Sequence, residues 1–203
     1  MSNSATQSKP SNQMVHGKLE ARPGKAHLIV ADAVGADAIL EMAKSVPADM
    51  MAHTHIIFIP KTSGDTYNEK LNALGAAQLY IGPSYEAAIP RLRKTLSDAH
   101  MGLQVYLAGT ESIIGQAMRE ATDAGIPHTA IQTEHRGSTA RRMQCVHCKG
   151  ITEDVTHDPF QCAHCGLHLF VRDHYSRRIA AYQAVRVDAE DPGSIPEPVE
   201  RFK

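Results

Sequence analysis

The feature that most constrains this chain is the stretch CVHCKGITEDVTHDPFQCAHC, from Cys145 to Cys165. It holds two Cys-x-x-Cys knuckles with thirteen residues between them, and all four cysteines of the chain lie in it. A knuckle turn sets its two sulfurs on one side of a tight loop, so two knuckles can surround one ion tetrahedrally. The spacing predicts a metal site with Cys145, Cys148, Cys162 and Cys165 as ligands rather than a disulfide framework. Residues 151–160 are long enough to leave and return as a hairpin, and Gly166 suits the turn out of the second knuckle. Zinc and iron both accept four thiolates, so ligand type leaves both open. The short excursion and Lys149 after Cys148 favour a zinc ribbon, with a rubredoxin-like iron site as the alternative. A complete set of four cysteines leaves no open position for a reacting water, so the zinc would be structural. His147 and His164, inside the knuckles, read as solvent-facing.

Upstream the pattern is that of alternating strands and helices. Residues 1–24 are rich in Ser, Asn, Gln, Lys and Pro and read as a mobile arm. HLIVA, HIIFI, QLYIG, LQVYLAG and HTAIQTE are short apolar runs that suit buried strands. Between them lie helical patterns from about Asp37, over residues 67–74, through Tyr85 to Leu96, and along TESIIGQAMREATDAG. Strands alternating with helices predict an α/β domain over residues 25–135, with a parallel sheet and helices on both faces. HRGSTARRMQ reads as a polar, basic linker that opens a metal-binding segment over residues 136–187. Residues 188–203 are acidic and contain three prolines, and read as an extended tail.

Charge excludes some partners. With 21 basic and 22 acidic residues the net charge is −1, which argues against nucleic acid and anionic membranes as partners. Arg136, Arg141, Arg142 and Lys149 still form a local basic strip, so a zinc-ribbon adaptor for nucleic acid is a third reading. No run of eighteen apolar residues occurs and the start does not resemble a secretory signal, so the expected compartment is the cytoplasm.

Other candidates are weaker in pattern. The turn in LIVADAVGADAIL has one glycine, Gly35, and two acids, Asp32 and Asp37, which suit helix capping better than phosphate binding. A second turn, at Gly109 and Thr110, joins a strand end directly to a helix, where backbone N–H groups can meet a nucleotide. If Asp173 to Arg178 is helical, Asp173 and Arg177 form an i,i+4 pair. His174, Tyr175, Arg177 and Arg178 would then be a partner-binding face. His53 and His55 flank a buried strand and read as satisfied or solvent-facing.

Two resemblances follow from longer stretches. HLIVADAVGADAILEMAK, HIIFIPKTSGDTYNEKLNALGA and VYLAGTESIIGQAMREATDAGIPHTAIQTE follow the order of the pyridine-nucleotide domain of ferredoxin-reductase-like flavoproteins. Where that family reads Cys-Gly-Pro, Ala108, Gly109 and Thr110 stand here. The cysteine stretch with HLFVRDHYSRR and VDAEDPGSIP resembles the end of the small A subunit of bacterial dimethylamine monooxygenases. That resemblance implies a non-catalytic role in a multisubunit, NADPH-dependent oxidative N-demethylase converting dimethylamine to methylamine and formaldehyde. NADPH, flavin, haem and an iron–sulfur centre would then belong mainly to partner subunits. The alternative is an electron-transfer subunit, with iron in the four cysteines and a nicotinamide nucleotide near Gly109.

Overall fold

The computed structural model describes residues 16–47, 49–60 and 66–203, which divide into two compact units: residues 16–140 with Lys203, and residues 141–202. In the first unit the order is β1 (Ala26–Asp32), α1 (Gly35–Ala43), β2 (Thr54–Ile59), α2 (Tyr67–Asn72), β3 (Gln78–Ile81), α3 (Tyr85–Ser97), β4 (Leu103–Gly109), α4 (Glu111–Asp123) and β5 (Ile131–His135). All neighbouring strands are parallel, in the order β3-β2-β1-β4-β5. The central strands are apolar on both faces, as a sheet covered twice requires. Alternation sends Ile29, Ala31, Ile56, Phe58 and Tyr106 into one core with Ile39 and Met42 of α1 and Leu71 of α2. Leu28, Val30, Ile57, Val105 and Leu107 are buried on the opposite face, where α3 and α4 pack. The expected parallel sheet with helices on both faces is therefore present.

Local chemistry sets the helix ends. Ser84 caps α3 by accepting the Ala87 N–H at 3.3 Å. After α2 and α4 the chain turns at Gly75 and Gly125, whose φ values of +67° and +86° suit glycine.

The expected mobile arm is corrected in part. Residues 1–15 lie outside the described residues, but residues 16–24 run along β5 and β4. The Gly17 N–H donates to the Thr133 carbonyl at 2.9 Å, and the Leu19 N–H to Glu134 Oε2 at 2.7 Å. Gln132 exchanges two bonds with the backbone of Glu20, and the Arg22 N–H donates to the Tyr106 hydroxyl at 3.1 Å. Leu19 is 3% exposed and belongs to the α1-side core. Polar composition hid this because the segment is anchored by its backbone and by one leucine.

In the second unit the order is β6 (Arg141–Cys145), β7 (Ile151–Val155), β8 (His157–Asp158), β9 (Phe160–Gln161), β10 (His168–Ser176), β11 (Ala181–Arg186) and β12 (Val199–Glu200). Five strands form a sheet in the order β7-β6-β11-β10-β9, and β12 pairs with β8. Three expectations change here. The stretch Arg141–Gln144, read as linker, belongs to a strand paired on both sides, and Met143 is fully buried. Residues 173–176, read as helical, continue β10, so Asp173 pairs with Arg141 at 2.7 Å rather than with Arg177. The tail is tied down at its end: Arg201 meets Asp158 at 3.1 Å, and the Phe202 ring lies 4.2 Å from the Arg141 guanidinium.

The core of this unit is small: Met143, Val155, Leu169, Tyr175, Tyr182 and Ala184, together with Cys145 and Cys162. Tyr175 and Tyr182 face each other across β10 and β11, edge to face with centroids 5.0 Å apart. Replacing Leu19 with alanine should destabilise the first unit by about 2–5 kcal/mol, the usual range for a buried leucine. Urea unfolding followed by circular dichroism measures it. A change within error would mean that residues 16–24 do not belong to the core.

Candidate functional site

Each knuckle is the turn of a β-hairpin. The first joins β6 to β7 and the second joins β9 to β10, so residues 151–161 cross from one edge of the sheet to the other instead of forming a hairpin of their own. The same bonds close both turns. The Cys145 N–H donates to the Gly150 carbonyl at 3.0 Å, and the Cys162 N–H to the Leu167 carbonyl at 2.9 Å. The Lys149 N–H reaches the Cys145 carbonyl and the Gly166 N–H the Cys162 carbonyl, at 2.9 and 3.0 Å. Lys149 and Gly166 both take left-handed backbone, at φ +64° and +72°. Glycine meets that demand at the second knuckle; at the first a lysine accepts the strain. Gly150 serves packing instead, since a Cβ there would lie 2.5 Å from the His164 ring. His164 Nε2 is 2.7 Å from the Ile151 carbonyl, so that nitrogen carries the proton and His164 ties the second knuckle to the first.

The four sulfurs all lie within 4.8 Å of one another. Cys145 and Cys165 are 3.9 Å apart and Cys148 and Cys162 are 3.7 Å apart. A tetrahedron with metal–sulfur bonds of about 2.3 Å has edges of about 3.8 Å, so the set fits one ion. Cys145 and Cys162 are buried and Cys148 is exposed, which puts the site at the surface. Burial opposes ionisation of Cys162, yet donation from the N–H groups of Cys165 and His164 and from neighbouring thiols brings it down to about 6. The Leu167 N–H favours the Cys165 thiolate, but burial and the other three sulfurs outweigh it and push that thiol up to about 12. Four sulfurs this close can all be anionic only around a cation.

At the Gly109 turn the expected open crevice is filled by the chain itself. Asp32, at the end of β1, accepts the Thr110 N–H at 3.1 Å and the Thr110 hydroxyl at 2.6 Å. A Cβ on Gly109, whose φ is +126°, would lie 1.7 Å from Asp32 Oδ1. A Cβ on Gly35 would lie 2.5 Å from the Ala108 carbonyl, so α1 and β4 approach closely only because Gly35 lacks one. The expected capping roles are also corrected. No side chain caps α1: Asp32 is spent on Thr110, and Asp37 accepts from the Tyr67 hydroxyl at 2.7 Å. The missed signal was an acid at the last position of a central strand, one strand away from Gly-Thr.

Of the four expected partner-surface residues, His174, Arg177 and Arg178 are exposed. Tyr175 is 4% exposed and packs on Tyr182, because strand alternation turns it inward where a helix would have left it outside. The basic strip is largely neutralised. Arg136 pairs with Glu134 and Glu41, Arg142 with Glu153 at 2.7 Å, and Lys149 donates to the Val146 carbonyl. Among the described residues no helix is long and apolar enough to cross a membrane.

Two substitutions test these sites. Asp32→Ala leaves the Thr110 N–H without its carboxylate and should cost about 1–3 kcal/mol in urea unfolding. Cys162→Ser should lower bound metal and collapse the dispersed amide signals of β6 to β11, while those of β1 to β5 stay in place. Retained dispersion in β6 to β11 would show that the sheet does not need the four-sulfur centre.

Comparison with known proteins adds the following. Over 101 residues the chain is 34% identical to the heme-dependent oxidative N-demethylase delta subunit of Ectopseudomonas mendocina (strain ymp), a match covering 50% of this chain and 58% of that relative. The siderophore-interacting protein SipS of Aeromonas hydrophila aligns over 57% of this chain and 51% of its own, at 20% identity and a TM-score of 0.42. The flavohem-like FAD/NAD binding domain of nitric oxide dioxygenase from Vibrio cholerae O1 biovar El Tor aligns over 58% and 53%, at 10% identity and a TM-score of 0.42. Two family models, for the N-terminal and C-terminal domains, match residues 6–131 and 142–185, and the chain belongs to the dimethylamine monooxygenase subunit DmmA-like family.

Proposed function

We propose that this chain is a non-catalytic subunit of a multisubunit, NADPH-dependent N-demethylase that converts dimethylamine to methylamine and formaldehyde. The observation that carries the reading is the Asp32–Thr110 clasp. It occupies the crevice at the ends of β1 and β4, where a fold of this kind would receive a dinucleotide pyrophosphate, and it does so with a negative charge. NADPH, flavin, haem and the iron–sulfur centre are then the business of partner subunits. The relative from Ectopseudomonas mendocina bears the name of the delta subunit of a heme-dependent oxidative N-demethylase, which supports a place in an assembly.

In this reading Cys145, Cys148, Cys162 and Cys165 hold zinc, which supplies a structural cross-link between the two knuckle hairpins. The protein side chains do the rest. Cys145 and Cys162 carry the site into the core, and His164 locks the knuckles together through Ile151. The exposed His174, near the end of β10, and Arg177 and Arg178, in the turn to β11, form the docking face.

A second reading has one observation in its favour. The two knuckles are closed by matching bonds, and the Cys148 sulfur is exposed, accepting the Gly150 N–H at 3.4 Å. An iron held there would be open to electron exchange with a partner at the surface.

Metal content and the optical spectrum of protein purified without added metal separate the two. One zinc per chain and no visible absorption is the expected result; a red, reducible iron protein would favour electron transfer. The isolated chain should release no formaldehyde from dimethylamine and NADPH, and release by the chain alone would overturn the non-catalytic reading.

A further inference from the structure

The opposite end of the parallel sheet is open. A cavity of about 420 Å³ lies where β1, β2, β3 and β4 begin, beside the second half of α3. Its size is that of a small-ligand site. Ala26, Ala99 and Leu103 give it apolar walls, and the Met101 side chain, 94% exposed, stands at its rim. The polar groups around it are mostly cationic or able to become so: Lys25, His53, His55, Arg91, Lys94 and His100. Asp98 is the one acid in the lining, and it is paired with Lys94.

His55 is the centre of this arrangement. It alternates with Ile57 and Ile59 toward the α3 face, is half-buried, and its ring has no hydrogen-bond partner among the described residues. Arg91, on α3, is close enough to act on its charge and donates to Gln78, the residue paired with His55 across β2 and β3. His27, on β1, is less available, because it is 4% exposed and its Nδ1 lies 3.5 Å from the Tyr106 hydroxyl.

We propose that this cavity binds a small organic anion, with its charged group between His55 and Arg91 and its apolar body against Ala99 and Leu103. The site is separate from the crevice that Asp32 fills, and it does not depend on the function proposed above. It would give the subunit a ligand of its own.

Anion binding here is coupled to protonation. Burial, and then the Arg91 charge, hold His55 below the ordinary histidine value, so it is neutral near pH 7. The other titratable groups of the cavity are Lys25 and His27 from the β1 side, His53 ahead of β2, Lys94 and Asp98 around the end of α3, and His100 beyond it. An anion beside His55 favours the imidazolium, so affinity rises as pH falls through the histidine range.

The test is a titration of the full-length, metal-loaded protein, labelled with 15N in histidine, with benzoate, phenyl phosphate and inorganic phosphate. Benzoate keeps its charge between pH 6 and 8, so it reads the protein's protonation alone. Saturable shifts of the His55 ring nitrogens are expected, with phenyl phosphate binding more tightly than inorganic phosphate because of the apolar wall. Benzoate should bind about tenfold more tightly at pH 6 than at pH 8, the scale of one charge-assisted pair. Arg91→Gln, at an exposed position, should weaken binding about tenfold or more. His55→Gln should remove the pH dependence while leaving some affinity. No saturable shift at His55 with any of the three anions would overturn the proposal, as would an Arg91→Gln variant that binds as well as the parent.

Discussion

In the C-terminal unit four cysteine sulfurs stand at a spacing at which all four can be anionic only around a cation. Four sulfurs lie within 4.8 Å of one another, and two of them, Cys145 and Cys162, are also part of the apolar core. The sheet has few other large buried side chains, so an ion held by the knuckles would supply much of its stability. A metal cross-link there would join the β6–β7 hairpin to the β9–β10 hairpin, which occupy opposite halves of the sheet. Between these halves β11 receives β6 on one side and β10 on the other, and Tyr182 sets its ring against Tyr175. Without an ion the same place would hold mutually repelling thiolates, or thiols forced to stay protonated.

In the N-terminal unit a single carboxylate has a comparable influence. Asp32 satisfies the Thr110 backbone and hydroxyl together, an arrangement that a phosphate oxygen could otherwise adopt. A pyrophosphate approaching to about 4 Å would meet a like charge, at a cost of about 1 kcal/mol in water and about 4 kcal/mol near a protein surface. It would also have to displace two hydrogen bonds already made. Gly35 and Gly109 therefore serve a close approach of backbone to backbone and of backbone to carboxylate, although glycines in such turns are commonly read as room for a ligand. The same residue type supports opposite functional conclusions, and the neighbouring acid decides between them.

How much of this was legible in the sequence depended on whether the signal was local. The strands of the parallel sheet and the helices between them were visible because apolar runs and helical periodicity each lie within one segment, and Gly75 and Gly125 marked helix ends. The cysteine set was visible because knuckle spacing is itself the geometry. Residues 16–24 were not, since their attachment to β5 and β4 uses backbone N–H groups and side chains more than a hundred positions away, such as Glu134 and Gln132. Residues 173–178 misled for a related reason: their charges suit a helix surface, but pairing with β11 and burial of Tyr175 outweigh that preference. Arg141 shows the same effect. It read as part of a basic strip, yet its guanidinium lies 4.3 Å from the Tyr182 ring and binds Asp173, which only the folded sheet brings near it.

The two ends of the parallel sheet follow from one another. Strand C-termini in such folds collect helix N-termini, which favour anions, and here the chain supplies its own anion in Asp32. Strand N-termini collect helix C-termini, which favour cations, and Arg91, Lys94 and His100 lie in or just beyond the last turns of α3. With the usual end closed by an internal carboxylate, the other end gathers Lys25, Arg91, Lys94 and His100 around one cavity. Lys94 is answered by Asp98, but His55 has no such partner, and burial beside Arg91 keeps it neutral while it waits for one. An external anion would therefore do at the open end what Asp32 does at the closed one: satisfy a donor that the fold has placed in a half-buried position.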